Sequence, residues 1–228
     1  MQTPVLSDLT WTEVGQLSTD AVLAIPLGST EQHGPHLPLS TDTDIAVALC
    51  RRLAAARPGV LIAPAMPYGS SGEHAGFPGT LSIGQDVVEA FVVELVRSAT
   101  DTFRRIVLVS AHGGNAEAVR RAVMRLRAEG RDVRAHEPRW EADPHAGGPE
   151  TSILLALTPD RVRMASAVVG DTRPLAVLMP LLRTGGVRAV SAVGVLGDPT
   201  GATADEGRAL LDQLGGALVA EVETWWPA

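Results

Sequence analysis

Short apolar runs alternate with longer stretches of helical apolar spacing along most of the chain, and this alternation constrains the fold more than any single residue. Residues 21–27 (AVLAIPL) form an apolar run ending at Gly28, short enough for a strand buried on both faces. Residues 45–56 read as a helix stopped by Pro58 and Gly59, and residues 60–63 as a second strand. Residues 64–84, rich in Gly, Ser and Pro, read as a long loop, and loops of that length inside a compact domain tend to be functional. The pattern resumes with a helix over 86–103, a strand over 106–109, a helix over 116–129 ending at Gly130, and a strand over 133–135. After Glu150 come a short helix over 151–157, a loop, a helix over 175–182, a Gly-rich stretch and a final helix over 204–225. Strands separated by helices predict an α/β fold with a parallel sheet flanked by helices, its ligand site at the carboxyl ends of the strands. At 228 residues the chain is expected to form a single domain, 1–228.

Charge and composition exclude several function classes. The net charge is -7 and no basic run is long enough to follow a phosphate backbone, which excludes nucleic acid as the expected partner. All 19 basic residues are Arg, so Schiff-base lysines, P-loop lysines and Ser-Lys pairs are excluded together. The one cysteine, Cys50, has no intrachain partner, and its expected role is that of a buried structural thiol in a reducing, cytoplasmic setting. The first residues, with Asp8 and Glu13, lack the pattern of a signal peptide, and no apolar stretch reaches the roughly 20 residues that span a bilayer.

Three clusters carry candidate chemistry. Glu31-Gln32-His33, followed by Asp42 and Asp44, comes directly after the first strand; residues 31 and 33 project to one side if the chain is still extended there. A carboxylate, an imidazole and a returning carboxylate suit zinc, iron or manganese. Asp42 has a second reading, because Ser40, Thr41 and Asp42 precede a helix and any of them can be its N-cap. The second cluster, His112-Gly113-Gly114-Asn115, lies where a strand hands over to a helix, and its glycines let the backbone approach a bound group closely. A tight turn with a capping or packing histidine is the alternative. An esterase oxyanion loop is a further one, but it needs a G-x-S-x-G elbow that the chain lacks. In the third, His145-Ala-Gly-Gly-Pro-Glu150-Thr151, Glu150 opens a helix and can simply favour its macrodipole, and His145 can be an ordinary surface residue. His136 reads as structural, His36 and His74 have no assigned role, and Trp225 and Trp226 are expected to pack against the domain or a neighbouring subunit.

The segments GSTEQHGPHLPLSTDTD, SAHGGN, HAGGPETS and GVLGDPTGATADEG, in that order and joined by the loop from Tyr68 to Thr80, resemble the creatininase family of metal-dependent amidohydrolases over nearly the whole chain. The resemblance implies a layered α/β sandwich with a mainly parallel sheet, assembled as a homo-oligomer, often a hexamer. It also implies a site for two divalent ions, with Glu31, His33, Asp42 and His112 matching the family's ligands and Asp42 bridging. Creatininase itself has His-x-Glu at the second motif, its Glu binding the second metal; here that position is Gly114, which suggests that Glu150 supplies the carboxylate. His145 matches the family's proton-transferring histidine, which would protonate the leaving nitrogen. Within the family, SGEHAGFPGT, the HAG-x-x-ETS segment and GVLGDPTGAT are most similar to the branch that trims a C-terminal Val-Tyr dipeptide from the modified precursor peptide of the redox cofactor mycofactocin. Hydrolysis of a small cyclic or formyl amide, and non-catalytic peptide binding on the same fold, are the alternatives.

Overall fold

The computed structural model describes residues 5–17, 20–140 and 143–227. A 3-10 turn (Leu6–Asp8) and α1 (Trp11–Val14) lead into β1 (Val22–Leu27), α2 (Thr41–Ala56), β2 (Val60–Ile62), α3 (Gln85–Ala99) and β3 (Arg105–Ser110). There follow α4 (Ala116–Ala128), β4 (Asp132–His136), α5 (Gly148–Leu157), α6 (Leu175–Val190) and α7 (Ala204–Trp225). The four strands pair in parallel in the order β2-β1-β3-β4.

The continuous apolar run of β1 follows from burial on both faces. Leu23, Ile25 and Leu27 join the core cluster with Val88, Val92 and Val96 of α3 and Val119 and Leu126 of α4. Val22 and Ala24 point the other way, into the cluster with Ile45, Leu49 and Leu53 of α2, Ile153 and Leu154 of α5, and Leu211, Leu214 and Leu218 of α7. A proline inside a central strand ordinarily costs a ladder hydrogen bond. Pro26 escapes this because its carbonyl faces the β2 side, accepting from Met66 N–H at 2.9 Å, beyond the point where β2 ends at Ile62.

Since β2 and β3 flank β1 on opposite sides, and α2 and α4 cover opposite faces, the strand order reverses between β1 and β3. The crevice at their carboxyl ends is the expected ligand position in such a sheet. Gly28 lets the end of β1 close against α2: a Cβ there would stand 2.5 Å from Thr43 Cα and 2.6 Å from its N.

Three differences from the sequence reading bear on the site. Helix α2 starts at Thr41, so Asp42 lies within its first turn. The long loop contains a 3-10 turn, Gly72–His74, and is stitched to the sheet end by Gly28 N–H to Met66 O (3.0 Å) and Leu81 N–H to Thr30 O (2.8 Å). Helix α6 runs through the Gly-rich stretch to Val190 and breaks at Gly186 (φ 66, ψ -173) instead of ending. Among the described residues, no helix is long and apolar enough to cross a membrane.

Candidate metal centre

The loop leaving β1 is held extended by hydrogen bonds on two sides, from Glu31 N–H to Leu39 O (3.1 Å) and from Gln32 N–H to Thr80 Oγ1 (3.1 Å). Glu31 and His33 both turn into the crevice, 1% and 0% exposed. Asp42 enters from the first turn of α2. The N-cap position belongs to Ser40, without a side-chain cap bond, and Asp42 is spent elsewhere. Its Oδ2 accepts from Ser29 Oγ at 2.6 Å and lies 3.3 Å from His112 Nδ1, while its Oδ1 is 3.2 Å from His33 Nε2.

His112 arrives from the end of β3, and His145 and Glu150 from the loop opening α5. Ala146 sits in the left-handed region (φ 53) and aims its N–H at Glu150 Oε2, 2.5 Å away, which turns that carboxylate inward to 3.9 Å from His33 Nε2. Three imidazoles each commit one nitrogen to a main-chain carbonyl. His33 Nδ1 donates to Glu31 O (3.2 Å), His112 Nε2 to Ser70 O (2.9 Å) and His145 Nε2 to Gln32 O (2.9 Å). The other nitrogen of each is left facing carboxylates, the arrangement by which a backbone acceptor sets the tautomer of a metal-binding histidine.

The donor atoms form overlapping groups, each within 4.8 Å: Glu31, Asp42 and His112; His33, Asp42 and Glu150; and Glu31, His33 and His145. The first two share Asp42. A cation fits this set on physical grounds. Both Glu31 oxygens are buried without a hydrogen bond among the described residues, although His74 Nε2 and His112 Nε2 each stand 3.2 Å from one of them. Burying a carboxylate that way costs several kcal/mol unless positive charge compensates. The His33 Nε2 lone pair likewise faces two carboxylates, which is repulsive without a cation or proton between.

Protons answer the same field. Burial opposes charge on His33, but Asp42, Glu150 and Glu31 outweigh it and hold its pKa up to about 10. Burial is outweighed at His112 too, by Glu31 and Asp42, again to about 10. Burial raises Glu31 and Glu150 to about 7 against the pull of the imidazoles. At Asp42 the neighbouring histidines overcome burial and keep the carboxylate ionised. Burial and the charge on His33 push His145 well below its usual range and His74 to about 3.

All six residues singled out from the sequence therefore converge: Glu31, His33, Asp42, His112, His145 and Glu150. His74 joins them, its ring 4.4 Å from that of His145. Ser29, Gln32 and Asn115 had no role of their own in the sequence reading, although Gln32 and Asn115 lie inside its clusters. Asn115 ties three loops together, accepting from Ser70 N–H (2.9 Å) and donating to Gly28 O (3.0 Å), and its place in HGGN was the sole signal. His136 lies apart, paired with Glu221 of α7 at 2.8 Å, and Trp225 and Trp226 pack on the domain under Arg134 and Arg57. Above the centre opens a cavity of about 1390 Å³, with Trp140, Arg173, Leu175 and Met179 among its walls.

Residues 7–222 match the family model described as creatinine amidohydrolase. The chain is 48% identical, over 98% of its length and 94% of the relative's, to the mycofactocin precursor peptide peptidase of Mycobacterium ulcerans (strain Agy99). Among solved structures, a creatininase described as the Mn form covers 99% of this chain and 100% of its own, with a TM-score of 0.82 and 26% identity. A mutant creatininase of the Zn-Zn type covers 98% of each chain at the same TM-score and identity. With a family model spanning almost all of it and a relative this similar, the chain belongs to the creatininase family.

Proposed function

We propose that this chain is a metal-dependent peptidase that trims a C-terminal Val-Tyr dipeptide from the modified mycofactocin precursor peptide. The observation that carries the reading is the pair of donor groups sharing Asp42 on the floor of a large cavity. Glu31, Asp42 and His112 would hold one divalent ion, and His33, Asp42 and Glu150 the other. The mixed nitrogen and oxygen donors suit zinc, iron or manganese. Such a pair, when bound, supplies an activated water near neutral pH and polarisation of the scissile carbonyl.

The protein's own groups do the rest. Glu31 and Glu150, buried and turned inward, would bring the negative charge that retains the ions. His145 is neutral at rest, because burial holds its pKa well below the usual range. It takes a proton from the incoming water on Nδ1 and passes it to the leaving nitrogen.

The cavity favours a peptide over a small amide, since about 1390 Å³ exceeds the roughly 300–1,000 Å³ of ordinary small-molecule pockets. Relatives bearing the peptidase name support the same choice. The chain acts as one domain, in the reducing cytoplasm that a single buried thiol suits, and as a homo-oligomer. Exposed apolar side chains on α6, Leu175, Val177 and Leu181, offer a surface for assembly, and light scattering on the purified protein tests it.

The discriminating assay offers the metal-loaded protein the precursor peptide, creatinine and formamides side by side. The peptide should lose the mass of Val-Tyr while the small amides stay intact. Turnover of a small amide alone supports the alternative activity, and peptide binding without cleavage supports the scaffold.

A further inference from the structure

Gln32 stands among the imidazoles, 5% exposed, and every polar atom of its side chain is spoken for. Two backbone groups with a single possible role orient the amide. Gly34 N–H, which can only donate, reaches Oε1 at 2.9 Å, and the Gly194 carbonyl, which can only accept, lies 3.0 Å from Nε2. One amide proton remains, and two histidine nitrogens lie in reach of it, His74 Nδ1 at 2.9 Å and His145 Nε2 at 3.0 Å.

The competition has one solution. His145 Nε2 is also 2.9 Å from the Gln32 main-chain carbonyl, an acceptor, so that nitrogen carries a proton and has no lone pair to offer. The amide proton therefore goes to His74 Nδ1. An imidazole that accepts on Nδ1 is neutral and carries its single proton on Nε2, here 3.2 Å from Glu31 Oε1. His145 in turn can exchange a proton only through Nδ1, on the side of Glu31 Oε1 at 3.9 Å.

We propose that Gln32 is a positioning residue that sets two tautomers at once, through its side chain for His74 and through its carbonyl for His145. His74 thereby keeps its proton-bearing Nε2 on the Glu31 side, 3.2 Å from Oε1. His145 is left with its working nitrogen toward the reacting groups. Gly194 (φ 79) completes the device, since a Cβ there would stand 1.9 Å from Gln32 Oε1 and displace the amide.

The test labels the six histidines with 15N in the zinc-loaded full chain and reads ring protonation from two-bond nitrogen–proton correlations, assigned by single substitutions. His74 should be protonated on Nε2 and bare on Nδ1. In Gln32→Glu the carboxyl has at most one proton, which the Gly194 carbonyl takes, so His74 should move its proton to Nδ1. The kcat on the precursor peptide should then fall roughly 10–100-fold, with KM and bound zinc unchanged. A wild-type His74 protonated on Nδ1, or a Gln32→Glu protein with its tautomers unaltered, overturns the proposal. The wild-type spectrum decides even if the variant does not fold. The kinetic arm rests on the peptidase reading; expected spectra without peptide cleavage would refute that reading and leave the tautomers standing.

Discussion

At the scale of single residues, the imidazoles divide by what their free nitrogen faces. His33 and His112 each turn theirs toward Asp42, at 3.2 and 3.3 Å, and each belongs to one of the two groups that share it. His33→Ala and His112→Ala should therefore lose metal and turnover together, measured by elemental analysis beside the peptide assay. His145→Ala should retain metal and lower kcat by about 10²–10⁴-fold, the usual contribution of a proton-transferring side chain. Loss of metal in that variant would instead make His145 a ligand, through its group with Glu31 and His33. The Glu31 and His33 pair was legible from its position after a strand. Asp42 was not decidable in sequence, since an acidic residue at a helix start satisfies the helix as well as it satisfies a metal; in space its carboxylate turns to Ser29 and the two histidines. Gln32 was illegible because its orientation depends on Gly194, 162 positions away.

At the scale of elements, two glycines position the site. In Gly28→Ala the new methyl meets the backbone of Thr43 and must push the first turn of α2, with Asp42, off the end of β1. Overpacking of this kind costs about 1–3 kcal/mol, so a lower Tm and weaker metal binding are expected by thermal denaturation and metal titration. Gly186 lies at φ 66 with the Glu73 carbonyl 2.5 Å from its would-be Cβ. Gly186→Ala should re-angle α6 and the cavity wall that it carries, raising KM for the peptide more than it lowers kcat. The alternation of strands and helices was readable because burial on both sheet faces leaves continuous apolar runs. The course of α6 was not, because paired glycines look like a helix end. What carries the helix past them is tertiary: Val187, 2% exposed, packs with Leu178 and Leu196.

At the scale of the whole molecule, the buried charges link stability to pH and metal. In the metal-free protein the raised pKa values of His33 and His112 contribute stability that is fully present below about 6.5 and is lost as pH rises through about 10. The raised Glu31 and Glu150 contribute stability present below about 4.5 and lost through about 7. The depressed groups, Asp42, His74 and His145, are deprotonated in the folded chain at pH 7, and the unfolded histidines, with a pKa of about 6.5, finish titrating within about one to two pH units above that, so their contribution is small beside the loss from His33 and His112. The Tm of metal-free protein should therefore fall from pH 7 to pH 10. The gain on adding a divalent ion should grow over the same interval, because the ion replaces protons on the same atoms; differential scanning fluorimetry reads both. The claim that metal held at the junction of β1, β3 and α5 performs amide hydrolysis is tested most directly by mass spectrometry of the precursor peptide incubated with native, chelator-stripped and metal-reloaded protein. Loss of the dipeptide should occur with the native protein, cease on stripping and return on reloading, whereas full cleavage by the stripped protein would contradict the account.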